Sequence, residues 1–328
     1  MGQARRDAEP SMRMSPRVAT IAGALSAVLV VAGCGSSTAP LEELHAKADH
    51  TLDLTGSGQP ADLATHDSAA RAAVAVTAIV AAAAEVLGEL ANAVGDLVPT
   101  EDHPCPDGGS ASGDISGSFN HPRVHMSFHN CVRGEHTLDG VADVRCDELD
   151  GSRCVRGDVT IGEGGAVLYF RDPARVILTR GLASISSDQA AQSLHADTSL
   201  EGELRALSDE PGWSFVTGPL AVDLHKSADD TTEVRIEGIA GVGGRAAAAN
   251  CLSGRFDTET PADPLVLQAQ VIRSGGLRLH SPPPRPGSQQ AEAVYADGGA
   301  SVRGADGGQL LYSPQALAEF CTTRENPK

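Results

Sequence analysis

Ser68-Ala-Ala-Arg-Ala-Ala-Val-Ala-Val-Thr-Ala-Ile-Val-Ala-Ala-Ala-Ala-Glu-Val-Leu-Gly-Glu-Leu-Ala-Asn-Ala-Val-Gly-Asp-Leu97 is the one strongly periodic stretch of the chain. Val76, Val80, Ala83, Leu87, Leu90, Val94 and Leu97 recur at spacings that alternate between four and three, the period of a helix face. Arg71, Glu85 and Asn92 share one heptad position on the far side, and Glu89 and Asp96 share another. Asp67 or Ser68 can cap the start and Pro99 stops the end. The spacing predicts an amphipathic helix of about 30 residues, about 45 Å long, filling the segment 61–98. Gly88 and Gly95 weaken it by about 1 kcal/mol each relative to Ala. Carboxylates every few residues argue against a membrane span. The stripe is expected to pack on the chain's own sheet or, over 68–97, to pair with a second copy.

Beyond Pro99 the pattern changes to short alternating runs separated by Gly, Asp and Pro. Val124, Met126 and Phe128 alternate with His125, Ser127 and His129, giving one buried and one wet face. Residues 138–144, 166–170, 175–179, 200–207, 219–225 and 233–239 continue the alternation, followed by 265–272, 277–280, 300–303 and 309–312. Ser313-Pro314 opens a short closing helix. The expected fold is mainly β: an antiparallel meander with sandwich-like sheets and one long N-terminal helix. Gly238 to Asn250 is small and flexible in composition, so a β-rich domain over 99–240 and a C-terminal β-rich region over 241–328 are expected.

Aromatic residues make up only 3% of the 328 residues, with 36 Gly and 19 Pro. Such a core is thin, and cross-links would support it. Seven Cys occur. Leaving Cys34 aside, Cys105, Cys131, Cys146, Cys154, Cys251 and Cys321 form an even set, which reads as disulfides in an oxidising compartment. The expected pairs are Cys105–Cys131, Cys146–Cys154 and Cys251–Cys321. For the second, two strands around Asp150-Gly151 would set the thiols face to face. No C-x₂-C pair supports zinc.

Cys34 ends an uncharged run, Val18 to Gly33, preceded by Arg5, Arg6, Arg13 and Arg17. Charged start, apolar middle and small residues before a break make a secretory signal. The break, Val31-Ala32-Gly33-Cys34, resembles the lipobox of bacterial lipoproteins. That resemblance implies a signal peptide over 1–33 and a Cys34 sulfur carrying diacylglycerol. It also implies an acylated new amine, palmitate being one such chain, and a tether over 34–60. The implied protein is extracytoplasmic and anchored to a bacterial membrane through Cys34.

Removing residues 1–33 takes four Arg, Asp7 and Glu9 with it, so the net charge moves from −18 to −20 over the remaining 295 residues. That balance argues against a nucleic-acid partner and against attraction to anionic headgroups. The body also resembles β-rich bacterial lipoproteins of unassigned function. Gly109 to Gly117, then Phe128-His-Asn-Cys131, then Leu138-Asp-Gly140 carry that likeness, which brings no activity with it. Cys131-Val-Arg-Gly134, Cys154-Val-Arg-Gly157 and Cys251-Leu-Ser-Gly254 form a weak C-x-x-G repeat.

Chemistry is sought and not found. His121, His125 and His129 would share a strand face, but residues four apart lie about 13 Å apart, too far for one ion. His129 and His136 could pair across strands if the register allows. Asp147-Glu148 and Asp229-Asp230 read as solvated turns, and Trp213 and Phe215 as packing. No nucleophile elbow, zinc-protease, phosphate-loop or EF-hand motif occurs. The sequence therefore points to no catalytic residue, cofactor or metal. The expected function is a non-enzymatic envelope protein, structural or binding. The alternatives are a carrier of lipid or another hydrophobic ligand, with the helix against a curved sheet, and a hydrolase with a dispersed site. A hollow helix–sheet interface would favour the carrier.

Overall fold

The computed structural model describes residues 60–93, 103–118, 121–133, 136–150, 153–162, 166–170, 174–188, 191–206, 213–227, 231–243, 252–268, 271–281 and 289–320. Cys34 with its preceding signal, Val94 to Leu97, Cys251 and Cys321 lie outside these residues.

Among the described residues, one long helix, one sheet and a short closing helix make the body. Helix α1 is His66–Ala93. The strands are β1 His103–Pro104, β2 Ser110–Ser118, β3 His121–Arg133, β4 His136–Asp150, β5 Arg153–Ile161, β6 Ala166–Phe170, β7 Ala174–Asp188 and β8 Ser193–Ala206. They continue as β9 Trp213–Lys226, β10 Thr231–Gly243, β11 Gly254–Glu259, β12 Leu265–Gln268, β13 Val271–His280, β14 Gln290–Ala296, β15 Gly299–Arg303 and β16 Gln309–Tyr312. Helix α2, Pro314–Ala318, follows with Ser313 as its N-cap.

All sixteen strands belong to one antiparallel sheet that follows sequence order, as a meander should. The two strands off the main path complete neighbours. β4 pairs its far half with β5 (Asp143 opposite Thr160) and its near half with β6 (Gly140 opposite Ala166), so β5 and β6 act as one interrupted strand. β11 and β12 do the same beside β10. The sheet also crosses the boundary expected at 240/241, because β10 pairs with both β9 and β11. The described strands of 99–240 and of 241–328 thus share a single sheet rather than forming two, and the sandwich-like pairing of sheets gives way to one curled layer.

The curl follows from the helix contacts. α1 packs against β4, β5, β7 and β8 and also against β13, β14 and β15, which stand far apart in the strand order. Only a sheet bent around the helix brings both groups to it. The dimensions agree: fourteen strand positions at about 4.8 Å make a width of about 67 Å. A layer about 10 Å from the helix axis needs about 63 Å to encircle it. The 28 residues of α1 span about 42 Å, and a 14-residue strand such as β9 spans about 46 Å. Rod and sheath match in length.

This corrects the expected helix face. Val76, Val80, Ala83, Leu87 and Leu90 are buried as the stripe requires, but so are Ala72, Ala75, Ala78, Ala82 and Val86. Ala78 occupies the heptad position of Arg71 and Glu85 and is still only 2% exposed. A helix apolar all round is a core helix. Within its first 23 residues the most apolar 18-residue window has a mean hydropathy of 1.8, enough for a bilayer, and is 94% buried inside the protein. Alanine suits the position because its small side chain lets strands approach from every direction. Among the described helix residues, no apolar stripe is left for a second copy.

The cap also differs from expectation. Thr65 is the N-cap: the Ser68 N–H donates to Thr65 Oγ1 at 3.2 Å and the Thr65 N–H donates to Ser68 Oγ at 3.2 Å. This is a capping box with serine in the role usually taken by glutamate.

Candidate functional site

Four local arrangements carry the residues singled out in the sequence. The first is the corner built by Phe128-His-Asn-Cys131 and Leu138-Asp-Gly140. The β3–β4 register slips between Phe128 and Cys131, making a bulge. Asn130 takes a left-handed φ of 48° there, and its N–H donates to Asp139 Oδ1 at 3.3 Å. Gly109 lies so close over the Asn130 carbonyl that a β-carbon would overlap it. Cys105 and Cys131 are disulfide-bonded with Cα atoms 5.4 Å apart, tying the β1–β2 turn to this bulge. The motif is structural.

The second is the β4–β5 hairpin. Cys146 and Cys154 are bonded, Cα to Cα 5.6 Å, but they are not directly opposite. Cys146 faces Gly157 and Cys154 faces Leu149, with register shifts on both sides of Glu148. The bulges turn both sulfurs to the inside, where both cysteines are buried. The two observed disulfides sit at opposite ends of the sheath, because Cys131 ends β3 and Cys146 approaches the end of antiparallel β4.

The third is the outer face. His121, His125 and His129 do project outward with the wet side of β3. The register places His136 opposite Arg133 and His129 opposite Ser110, so the cross-strand histidine pair does not form. Two histidines on this face find carboxylates instead. His125 Nδ1 lies 2.7 Å from Asp143. On β8, His195 Nδ1 lies 2.6 Å from Asp223 and Nε2 lies 3.1 Å from Asp197. Partial burial works against the charged ring, but hydrogen bonds to Asp223 and Asp197 and their charges outweigh it, raising the His195 pKa above the ordinary 6.5. No group of three or more His, Cys, Asp or Glu suited to a metal occurs among the described residues.

Charged rows run on from strand to strand. Arg145 pairs with Asp158 at 2.5 Å, which accepts from Ser184 Oγ at 2.7 Å. Across the sheet, Arg278 meets Glu259 at 3.5 Å and Arg303 meets Glu292 at 2.7 Å. Arg180 makes two 2.8 Å bonds to Glu201. Individually such exposed pairs contribute about 0–1 kcal/mol. Together they keep the outer face wet and unsuited to stacking on another sheet.

The fourth arrangement, missed in the sequence, is the strap Pro60–Thr65, which leads the chain into the sheath. The Ala61 N–H donates to Arg255 O at 2.8 Å, and Ala61 O accepts from Ser281 Oγ at 2.6 Å. The Leu63 N–H donates to Gln289 Oε1 at 2.8 Å. Leu63 O and Ala64 O accept from the N–H groups of Ala305 and Asp306 at 3.0 and 2.8 Å. The Tyr312 hydroxyl then donates to Asp67 Oδ1, and His66 Nδ1 lies 2.8 Å from it. Burial and the Asp67 charge push the Tyr312 hydroxyl well above its usual range, so it stays a donor. Arg71 lies 5.6 Å over the Phe320 ring. The strap thus crosses one rim, where β11 and β14 begin and β13 and β15 end. No residue pattern marked it, because its partners come from five separate segments.

Fold and site together define a class: a disulfide-stapled antiparallel sheath wound on one core helix, with a charged exterior. Compared with known protein families, curated proteins and solved structures, the chain matches none.

Proposed function

We propose that this chain is a lipid-anchored protein of the bacterial cell envelope, held outside the cytoplasm by acylated Cys34. It works through its outer surface as a structural or binding element. The observation that carries the choice among functions is the filled interior. The described apolar side chains of α1 are 0–7% exposed, and the sheet residues facing them are equally buried. The volume that a carrier would offer to a hydrophobic ligand is occupied by the chain's own helix. Two disulfides suit an oxidising compartment.

A hydrolase has less support. Ser186, His195 and Asp223 do fall in one cross-strand row, but both His195 ring nitrogens already face carboxylates. A serine nucleophile needs one of those nitrogens as its base.

Replacing Cys34 by Ala tests the anchor: the protein should move from the membrane to the soluble fraction, and undiminished membrane retention would refute the reading. Organic extraction of the purified native protein tests the interior. Covalent acyl chains alone are expected, and a stoichiometric free lipid would transfer the assignment to the carrier.

A further inference from the structure

Among the described residues, three of the five exposed large apolar side chains gather at one edge of the sheet, while Ile115 on β2 and Leu182 on β7, 48% exposed, stand apart. Val294 is 47% exposed, Leu310 46% and Leu311 78%, the highest of the set. Val294, Ser301 and Leu311 stand in one row across β14, β15 and β16, and Leu310, opposite buried Val302, lies on the other side of the edge strand. At the opposite edge, the part of β2 beyond two-residue β1 shows the usual protection: one exposed apolar residue, Ile115, among exposed Asp114, Ser116, Gly117 and Ser118.

Position says what the apolar edge faces. β16 starts beside the turn whose Ala305 and Asp306 N–H groups hold the strap. Pro60 bridges Arg255 at the start of β11, so the chain before Pro60 joins the body on the same rim from which β16 starts, four strands along the sheet. Cys34 lies 26 positions before Pro60, a reach of about 90 Å at most. Acyl chains at Cys34 draw this rim, rather than the far one, toward the bilayer. We propose that Leu310 and Leu311, with Val294, rest in the headgroup–acyl boundary of the membrane that holds the protein, a second contact that sets the orientation of the body. This rests on the anchor reading above. The chemistry fits an apolar contact with lipid: a weak surface gains from the high local concentration that tethering provides. With a body this acidic, contact should be stronger on zwitterionic than on anionic lipid.

Two experiments separate this proposal from the anchor. In the first, the full chain carrying Cys34→Ala is floated with phosphatidylcholine vesicles, with and without Leu310→Ser and Leu311→Ser. Partition should fall about tenfold or more when both leucines are replaced. Equal partition, or none in either protein, overturns the proposal whatever happens at Cys34. In the second, native Cys34 is kept and Leu311→Trp is compared with Thr160→Trp in vesicles containing brominated phosphatidylcholine. Stronger quenching at position 311 supports the contact, and equal quenching overturns it while leaving the anchor intact. Leucine-dependent partition with an unacylated Cys34 would sink the anchor and leave the surface standing. A dimer that forms without lipid and is lost with the two serines would assign the edge to a second copy, and so overturn the bilayer contact.

Discussion

At Gly304 a β-carbon would overlap the backbone of Ala64, Thr65 and His66 where the strap crosses the β15–β16 turn. Neither backbone can yield without breaking the Ala305 and Asp306 hydrogen bonds. Gly304→Ala is expected to destabilise the protein by about 1–3 kcal/mol, read as a lower midpoint in urea. An unchanged midpoint would mean the strap does not hold the rim. His195 makes a different residue-scale prediction. Its pKa is raised in the fold, so its contribution to stability is present below 6.5 and fades as pH rises through the raised value. With a side chain 42% exposed, that contribution is small. The difference in thermal midpoint between the native protein and His195→Gln, followed from about pH 5 to about pH 9, should shrink toward alkaline pH. A pH-independent difference would show that the ring acts only by packing. Asn130 marks the limit of reading single letters: its place beside Cys131 was visible, but its left-handed backbone comes from a bulge between two strands.

At the scale of elements, α1 shows what periodicity conveys and what it hides. The 3.6-residue stripe announced the helix and nearly its start. It did not announce burial on the far side, because alanine is compatible with water and with a core alike. Ala78→Arg decides between the two situations. An amphipathic helix tolerates Arg there as it tolerates Arg71, whereas an enclosed one must bury an unpaired charge. We expect loss of the cooperative fold, seen as the disappearance of the thermal transition, and a native-like melt would contradict the enclosure. The Cys146–Cys154 hairpin was legible because two strands flank an Asp-Gly turn only a few residues apart. The bulges on both sides of Glu148 that set the actual register were not. Peptide mapping without reduction should recover Cys146 joined to Cys154, and both recovered as free thiols would remove that staple.

The whole molecule is a sheath whose strands match its rod in length, and that match explains why the sheet does not divide at residue 240. A small-residue stretch there looked like a boundary because composition reports flexibility, not pairing. β10 runs to Gly243 and pairs on both edges, so the sheet continues through it. The length of the strands was underestimated for a related reason. Half-buried bulge residues and Gly break the alternation locally, while hydrogen bonding carries the strand onward. β11 and β14 escaped notice in the same way.

The amino-acid order by itself determined the helix, the alternating antiparallel strands, the two observed cysteine pairs and the acidic, motif-poor character of the surface. All of these depend on neighbours close in the chain or on composition. Tertiary structure alone decided that the sheet curls around the helix, that the strap closes one rim, and that His195 meets Asp223 across β8 and β9. Those arrangements join residues tens to hundreds of positions apart. The energy that selects them is the burial of a whole helix at once, and no local pattern records it.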